Sequence, residues 1–255
     1  VGYQAGYNNT TGSSLTALGR DAAHDNTTGV NNTAVGQAAL YINTTGGYNT
    51  AIGRDALNNN TTASNNTAVG YQSLYTNTTG FNDVAVGYQA GYSNTTGNYN
   101  TFVGFKASAN NTTGERNVSL GYEALHDNTT GLYNTAIGMW ALEGNTTASN
   151  NTAVGYGSQY TNQTGTSNSS LGMNSLFFNT GSYNTAMGHD ALVNNTTASN
   201  NTAVGYQAGY SNTTGDRVVA MGEGSLYSNT TGGYNVALGS KPLRSNTTGA
   251  NNTAV

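Results

Sequence analysis

Aliphatic, small and polar residues alternate along the whole chain in one pattern that repeats every 17 residues. The pattern is plainest in T-A-V-G and T-A-I-G, where a β-branched residue, a small residue and an aliphatic residue precede a glycine. Short β-branched segments between turns rich in glycine and asparagine are typical of β-strands. A 17-residue repeat is also too short for a helical hairpin, which takes more than about thirty residues. The pattern therefore predicts an all-β chain of tandem coils.

Each coil is numbered here from its glycine, so that glycine is position 1 and the aliphatic residue that ends the coil is position 17. Fifteen coils account for the chain, and each has 17 residues except the one from Gly172, which has 16. We expect glycine at position 1 because the chain turns there and a Cβ would clash. These turn glycines are Gly2, Gly19, Gly36, Gly53, Gly70, Gly87, Gly104, Gly121, Gly138, Gly155, Gly172, Gly188, Gly205, Gly222 and Gly239.

The predicted fold is a parallel β-solenoid, or β-roll, that forms a single domain over residues 1–255. Each coil is expected to give about two short strands, with successive coils ~4.8 Å apart in a rod of roughly 70 Å. Alternation puts positions 15 and 17 on one side of the strand, and the aliphatic position 17 predicts that this side is the core. In the 16-residue coil, around residues 177–181, we expect a tighter turn without a change of fold. The chain starts and ends in mid-pattern, which predicts a segment of a longer fibre.

Position 16 should then point away from the core, yet it is alanine in twelve coils, serine in two and phenylalanine only at Phe102. A solvent-facing strand position would be expected to vary among larger polar residues. One interpretation is that another copy of the chain lies against the small side chains, in a homotrimer or filament. The other is that a bend near the glycine turns both side chains inward. The chain–chain contact is predicted at Ala34, Ala51, Ala68 and Ala85.

Composition narrows the classes of function. Charged residues make up 7% of the chain, against about 25% in an ordinary domain, and the formal net charge is −4. Only seven residues are Lys or Arg, so there is no basic stripe for nucleic acid. No apolar run approaches the ~20 residues of a membrane helix, so we expect no membrane insertion of this segment. Without cysteine there are no disulfides and no thiolate metal sites.

No enzyme site is recognisable in the sequence. His24, His126 and His189 lie in different coils, whereas catalytic triads and metal sites need side chains within bonding distance of one another. The glycines follow the coil and do not form a phosphate-binding loop before a helix. We therefore predict a non-enzymatic protein without metal or cofactor.

The asparagine at position 8 begins an N-x-T sequon in fourteen coils. The sequons could carry glycans on a secreted rod, or they could be by-products of a turn built from asparagine and threonine. The candidate glycosylation sites are Asn9, Asn26, Asn43, Asn60, Asn77, Asn94, Asn111, Asn128, Asn145, Asn162, Asn195, Asn212, Asn229 and Asn246.

All eighteen tyrosines lie at positions 2, 6 and 13 of their coils. Rows of tyrosine could bind sugars or another fibre with an apolar ring and a polar tip. The alternative is that the rings stack on one another along the solenoid, as aromatic side chains do in repeated strands.

The segments N-T-A-V-G and N-T-A-I-G resemble the head repeats of trimeric autotransporter adhesins, and G-Y-Q-A-G-Y-S-N-T-T-G resembles repeat arrays in bacterial and phage tail-fibre-like proteins. The resemblance implies a left-handed parallel β-roll and assembly as a trimer. It also implies a structural fibre segment, such as an adhesin stalk or tail-fibre shaft, located outside the cell or on a cell or virion surface, with a cell-surface or glycan receptor as a further partner.

The repeats are also similar to grass-type ice-binding rolls, with coils like N-N-T-V-x-S-G. This similarity implies an alternative function in ice binding, with the threonines at position 15 facing water in a flat array. A surface for carbohydrate on the tyrosine rows is a further alternative.

Overall fold

The computed structural model describes residues 1–255, and its regular structure consists of one short strand per coil, at positions 15–17. The prediction of about two strands per coil was therefore wrong, because the rest of each coil is turns. The structure contains no helix long and apolar enough to cross a bilayer. The strands are β1 (Thr16–Leu18), β2 (Thr33–Val35), β3 (Thr50–Ile52), β4 (Thr67–Val69), β5 (Val84–Val86), β6 (Thr101–Val103), β7 (Val118–Leu120), β8 (Thr135–Ile137), β9 (Thr152–Val154), β10 (Ser169–Leu171), β11 (Thr185–Met187), β12 (Thr202–Val204), β13 (Val219–Met221), β14 (Val236–Leu238) and β15 (Thr253–Ala254).

Contacts divide the chain into two units, Val1–Thr130 with β1–β7 and Gly131–Val255 with β8–β15. Within each unit every strand pairs in parallel with the strand of the next coil, and residues at the same coil position face each other, as Thr33 faces Thr50. The backbone of the turns follows the same rule, since Leu40 N–H donates to Ala56 O at 2.9 Å. The predicted all-β parallel solenoid of tandem coils is confirmed. The assignment of residues 1–255 to one domain and the hand of the coil stay predictions.

The short coil from Gly172 keeps the same architecture. Ser169 pairs with Thr185 across a spacing of 16 residues, and Thr185 pairs with Thr202 at the usual 17. The lost residue is absorbed in the turn, where Asn179 Nδ2 donates to Gly181 O two residues on, instead of three residues on as in other coils. The expected local tightening without a change of fold is confirmed.

The interior of each coil includes position 16, which strand alternation had placed on the outer side. From β2 to β14, alanine at position 16 is fully buried, together with alanine or serine at position 4 and, in most coils, leucine at position 5. Positions 15 and 17 point outward. The prediction that positions 15 and 17 form the core was therefore wrong. The chain–chain contact predicted at position 16 is also wrong, because Ala34, Ala51, Ala68 and Ala85 each have 0% exposure within their own chain.

Glycine at position 1 is required by the close approach of successive coils. A Cβ on Gly70 would lie 2.3 Å from the carbonyl oxygen of Gly87, and the φ of Gly70 is +137°, which side chains rarely adopt. At Gly239, in the last coil, φ is +116° and an added Cβ would meet nothing within 4 Å. Both observations confirm the expected role, since the steric conflict arises wherever another coil follows.

Candidate functional site

The outer face of the strands is the most regular apolar surface of each unit. Its position-17 column contains only valine, leucine, isoleucine and methionine, and its position-15 column contains ten threonines, four valines and Ser169. The aliphatic side chains of position 17 are partly exposed in the inner coils, for example 37% at Val86, 39% at Ile52 and 47% at Leu120. Paired strands hold neighbouring rungs ~4.8 Å apart, so the seven rungs of the first unit form a stripe about 29 Å long. We call positions 15 and 17 together the outer strand face.

The outer strand face of the second unit has a shallow depression beside Ser169, lined by Val154, Leu171 and Met187. Serine here is smaller than the threonine or valine of other coils. The inward-pointing residue Ser170 lies beneath it and accepts a hydrogen bond from Gln159 Nε2 at 2.8 Å. Except at this rung, the column is filled by β-branched side chains, which leaves a nearly flat face.

The asparagines of the sequons form a column inside the solenoid. From Asn9 to Asn128, each Nδ2 donates to the Oδ1 of the asparagine one coil earlier, at 2.7–3.1 Å. The same bonds, at 2.7–2.9 Å, join Asn179 to Asn246. We call this column the position-8 ladder. Stacked amide ladders of this kind stabilise repeated strands.

The proposed glycosylation sites are inside the fold, so that prediction was wrong for the folded chain. Twelve of the fourteen amides are fully buried, and even the half-buried Asn9 and Asn246 donate a hydrogen bond to the carbonyl three residues on. A glycan would replace an N–H that each amide uses and would need space that the interior does not have. The alternative, in which the sequon is a by-product of the turn, agrees with the structure.

We expect Asn60→Ala to destabilise the first unit by about 2–4 kcal/mol. Asn60 Nδ2 donates to Asn43 Oδ1 and to Ala63 O, and its own Oδ1 accepts from Asn77. Truncation leaves Asn43 Oδ1 and one N–H of Asn77 without a partner, and each unpaired buried group costs about 1–3 kcal/mol before relaxation. Ala63 O keeps its second donor, Asn49 Nδ2. Urea unfolding measures the loss. The control is Thr62→Ala, an exposed residue of the same turn, for which a change within about 0.5 kcal/mol is expected. Equal effects for the two variants would contradict the ladder's role.

A second amide column lies at position 14. Asn49 Oδ1 accepts the backbone N–H of Asn66 at 3.0 Å, and Asn49 Nδ2 donates to the position-11 carbonyl of the next coil, at Ala63, at 2.8 Å. The pattern recurs in both units, and we call it the position-14 ladder. It satisfies backbone groups that face the interior and have no strand partner. The sequence shows asparagine at this position in twelve coils, and the structure shows that its amide pairs with the position-11 carbonyl of the next coil.

Aromatic side chains stack in columns on the surface of the turns. Tyr71, Tyr88, Phe105 and Tyr122 follow one another at position 2, with centroids 5.0–5.3 Å apart and ring planes within 17° of parallel. The ring faces are covered by each other, and ring edges point to solvent. The stacking interpretation is confirmed for these residues. Their stacked ring faces are not open to a sugar, whereas the carbohydrate alternative stays a prediction for exposed tyrosines such as Tyr48 and Tyr183.

The histidines take part in the same columns. His24 is stacked between Tyr7 and Tyr41, at 5.3 and 5.1 Å, and its Nδ1 lies 2.6 Å from Asp25 Oδ1. His189 is stacked on Tyr206 at 5.6 Å. The charged pairs lie on the surface of the turns, with the Arg54 side chain 59% exposed beside Asp55. Exposed pairs of this kind contribute only ~0–1 kcal/mol.

The chain matches no protein-family model, and comparisons with curated proteins and with solved structures found no match.

Proposed function

We propose that this chain is a non-enzymatic structural segment of a fibre, such as an adhesin stalk or tail-fibre shaft, in which copies associate through the outer strand face. The observation that supports the proposal is the unbroken column of aliphatic side chains at position 17, half-exposed from coil to coil. Contiguous apolar surface of this kind marks sites of protein association. The proposal moves the chain–chain contact from position 16 to positions 15 and 17.

The dimensions of the face fit a second copy of the chain. A stripe about 29 Å long and roughly 10 Å wide, taken over the seven rungs of the first unit, offers about 300 Å². Standard interfaces bury about 800 Å² per partner, so the contact would have to extend from this stripe onto the flanking turns. An identical copy supplies the same rung spacing, and its side chains would meet this face at every coil. The resemblance to the head repeats of trimeric autotransporter adhesins favours a trimer. It would lie outside the cell, on a cell surface or on a virion.

Association predicts that lysine on the outer face separates the copies without unfolding the coils. We expect the combined variant Val35→Lys, Ile52→Lys and Val69→Lys to sediment as a monomer where the unaltered chain sediments as an oligomer. These side chains are partly exposed, so a lysine can reach solvent in the monomer but not in the interface. Sedimentation equilibrium measures the mass, and circular dichroism checks that the fold is retained.

The matched control places three lysines in the same coils at exposed threonines outside the face, Thr28→Lys, Thr45→Lys and Thr62→Lys. This control carries the same added charge and should remain oligomeric. An unaltered chain that is monomeric at high concentration, or a control that dissociates equally, would overturn the proposal.

The outward threonines at position 15 support ice binding as the second candidate. Thr33, Thr50 and Thr67 are half-buried, point outward and stack at strand spacing. The face is less uniform than an ice lattice, because valine interrupts the threonine column at Val84 and Val118, and position 17 changes length between rungs. This irregularity favours a protein partner. Thermal hysteresis of a monomeric chain that is abolished by Thr50→Lys would promote ice binding over the fibre.

A further inference from the structure

Asp83 is the one acidic residue of the position-14 ladder, where twelve other coils have asparagine. The carboxyl group is fully buried. Its Oδ1 accepts the backbone N–H of Asn100 at 2.7 Å, as an asparagine Oδ1 does in the neighbouring coils. Oδ1 of Asp83 therefore makes the same hydrogen bond that asparagine Oδ1 makes elsewhere in the ladder.

The second oxygen, Oδ2, takes the place of the asparagine Nδ2, whose hydrogen is donated to the next coil elsewhere in the ladder. One coil earlier, Asn66 Nδ2 donates to Gly80 O at 2.8 Å, and one coil later Asn100 Nδ2 donates to Gly114 O at 3.0 Å. The corresponding acceptor for Asp83 is the carbonyl of Gly97. A carboxylate has no hydrogen to give, so an ionised Asp83 leaves a buried carbonyl without its cross-coil donor.

The hydrogen bonds of Asn94 show the same shortage of donors. Its Nδ2 faces three acceptors, Asn77 Oδ1 at 3.0 Å, Gly97 O at 3.0 Å and Asp83 Oδ2 at 3.2 Å. An amide nitrogen carries two hydrogens, so the three acceptors cannot all be satisfied at once. A proton on Asp83 Oδ2 would remove the deficit, because that oxygen would become a donor.

We propose that Asp83 is a proton-operated clamp in the first unit, which joins coils 70–86 and 87–103 when its carboxyl is protonated and weakens their contact when it is ionised. The protonated Oδ2 donates to Gly97 O in place of the missing amide hydrogen. Loss of the proton removes that bond and leaves a negative charge in an interior of amides and alanines.

The electrostatics of the site agree with this geometry. Burial raises the pKa of Asp83 from its ordinary 3.8 to about 7, although hydrogen bonds from Asn100 and Asn94 lower it. The groups that face the carboxyl from the adjoining coils, Asn66, Asn94 and Asn100, are neutral amides. Glu115, further along the unit, acts on Asp83 through its negative charge and favours the proton.

The sign of the pH effect follows from the raised pKa. The folded chain holds a proton that the unfolded chain releases near pH 3.8, so the stabilisation is fully present below that pH. This stabilisation is lost as the pH rises to about 7, and above that pH Asp83 Oδ2 no longer donates to Gly97 O.

The decisive comparison is between the unaltered chain and Asp83→Asn, which restores the amide donor that the neighbouring coils have at position 14. The unfolding equilibrium constant of the unaltered chain, divided by that of the variant, should rise roughly a hundredfold from pH 5 to pH 9. Urea titrations at each pH give the ratio, and amide hydrogen exchange should locate the loosening in residues 70–103. The carboxyl carbon resonance of Asp83 should titrate near neutral pH.

Two further variants make the result specific. Asn66→Asp, placed on the Asp83→Asn background, moves the carboxyl one coil earlier and should restore the pH dependence. Asp21→Asn removes a partly exposed carboxylate paired with Arg20. The unfolding equilibrium constant of the unaltered chain, divided by that of this control, should not change with pH. A carboxyl resonance that titrates near pH 4, or a ratio that does not change between pH 5 and pH 9, would overturn the proposal.

Discussion

Phe102→Ala should lower the free energy of unfolding by about 3–5 kcal/mol, the range for removing a buried aromatic ring. Phe102 is the only aromatic residue at position 16, and its side chain is fully buried among alanines and leucines. The surrounding coils are tied by backbone hydrogen bonds on both sides, so they cannot collapse into the cavity. Equilibrium unfolding in urea measures the loss.

The space for that ring comes from Gly91, at position 5 of the same coil. A Cβ on Gly91 would lie 2.5 Å from Phe102 Cδ2. Gly91→Leu alone should therefore be strongly destabilising, because the leucine and the ring would overlap. Together with Phe102→Ala it gives the combination of the other coils, leucine at position 5 and alanine at position 16, as in Leu57 and Ala68 of residues 53–69.

The double variant should recover most of the loss and come within about 1.5 kcal/mol of the unaltered chain. The backbone is no obstacle, since Leu57 has φ 48° where Gly91 has φ 61°. Strict additivity of the two single effects would contradict the proposed packing. The matched control is Leu74→Ala, a buried leucine at position 5 of the preceding coil, which Gly91→Leu should not rescue.

The pairing of positions 5 and 16 recurs with other chemistry in the same molecule. Ser108 donates to Ser119 at 2.9 Å, and Gln159 donates to Ser170 at 2.8 Å. In each case a polar residue at position 5 is accompanied by serine at position 16 of the same coil. The two positions face each other across the interior, so these polar pairs form within one coil, whereas the amides of the ladders bond between coils.

The period, the strand position and the parallel pairing could be predicted from the sequence, because each depends on short-range pattern. T-A-V before glycine indicated a strand, and a constant interval indicated that successive strands pair in register. The steric role of Gly70 was predictable for the same reason. These features need only local backbone preference and repetition.

The inside and outside of the strand could not be predicted by alternation alone, which shows only that positions 15 and 17 share a face. Hydrophobicity assigned that face to the core, and the structure reversed it. A 17-residue coil encloses a narrow interior, which alanine and one leucine fill together with two amides. The signals that could have corrected the assignment were the constant small size of position 16 and the coincidence of Phe102 with Gly91 in one coil.

The left-handed backbone conformation of the turns could not be predicted from the sequence. Leu57 and Tyr48 adopt φ values of 48° and 59°, in a left-handed region that costs side chains about 1–2 kcal/mol. No local preference of leucine or tyrosine indicates this. The compensation is non-local, since Leu57 N–H donates to Ser73 O and Tyr48 N–H donates to Val30 O of adjoining coils, at 3.0 and 2.9 Å.

Ala68→Lys should unfold the solenoid around β4, whereas Val69→Lys, at the next residue, should leave the monomer folded. Ala68 has 0% exposure and packs between the alanines of β3 and β5, so a lysine there has neither space nor a partner for its charge. A buried unpaired charge and an overfilled interior together cost several kcal/mol. Val69 points the other way, and a lysine there can extend into solvent.

Thermal unfolding by circular dichroism should therefore separate the two variants, with a large loss for Ala68→Lys and a change within about 0.5 kcal/mol for monomeric Val69→Lys. Ala68→Ser is the control for polarity without size, since serine occupies this position at Ser119 and Ser170 and should be tolerated. Similar stability of Ala68→Lys and Val69→Lys would contradict the assignment of position 16 to the interior and of position 17 to the outer strand face. The expected contrast assigns position 16 of each strand to the folded interior and leaves its neighbour at position 17 free for the association that we propose.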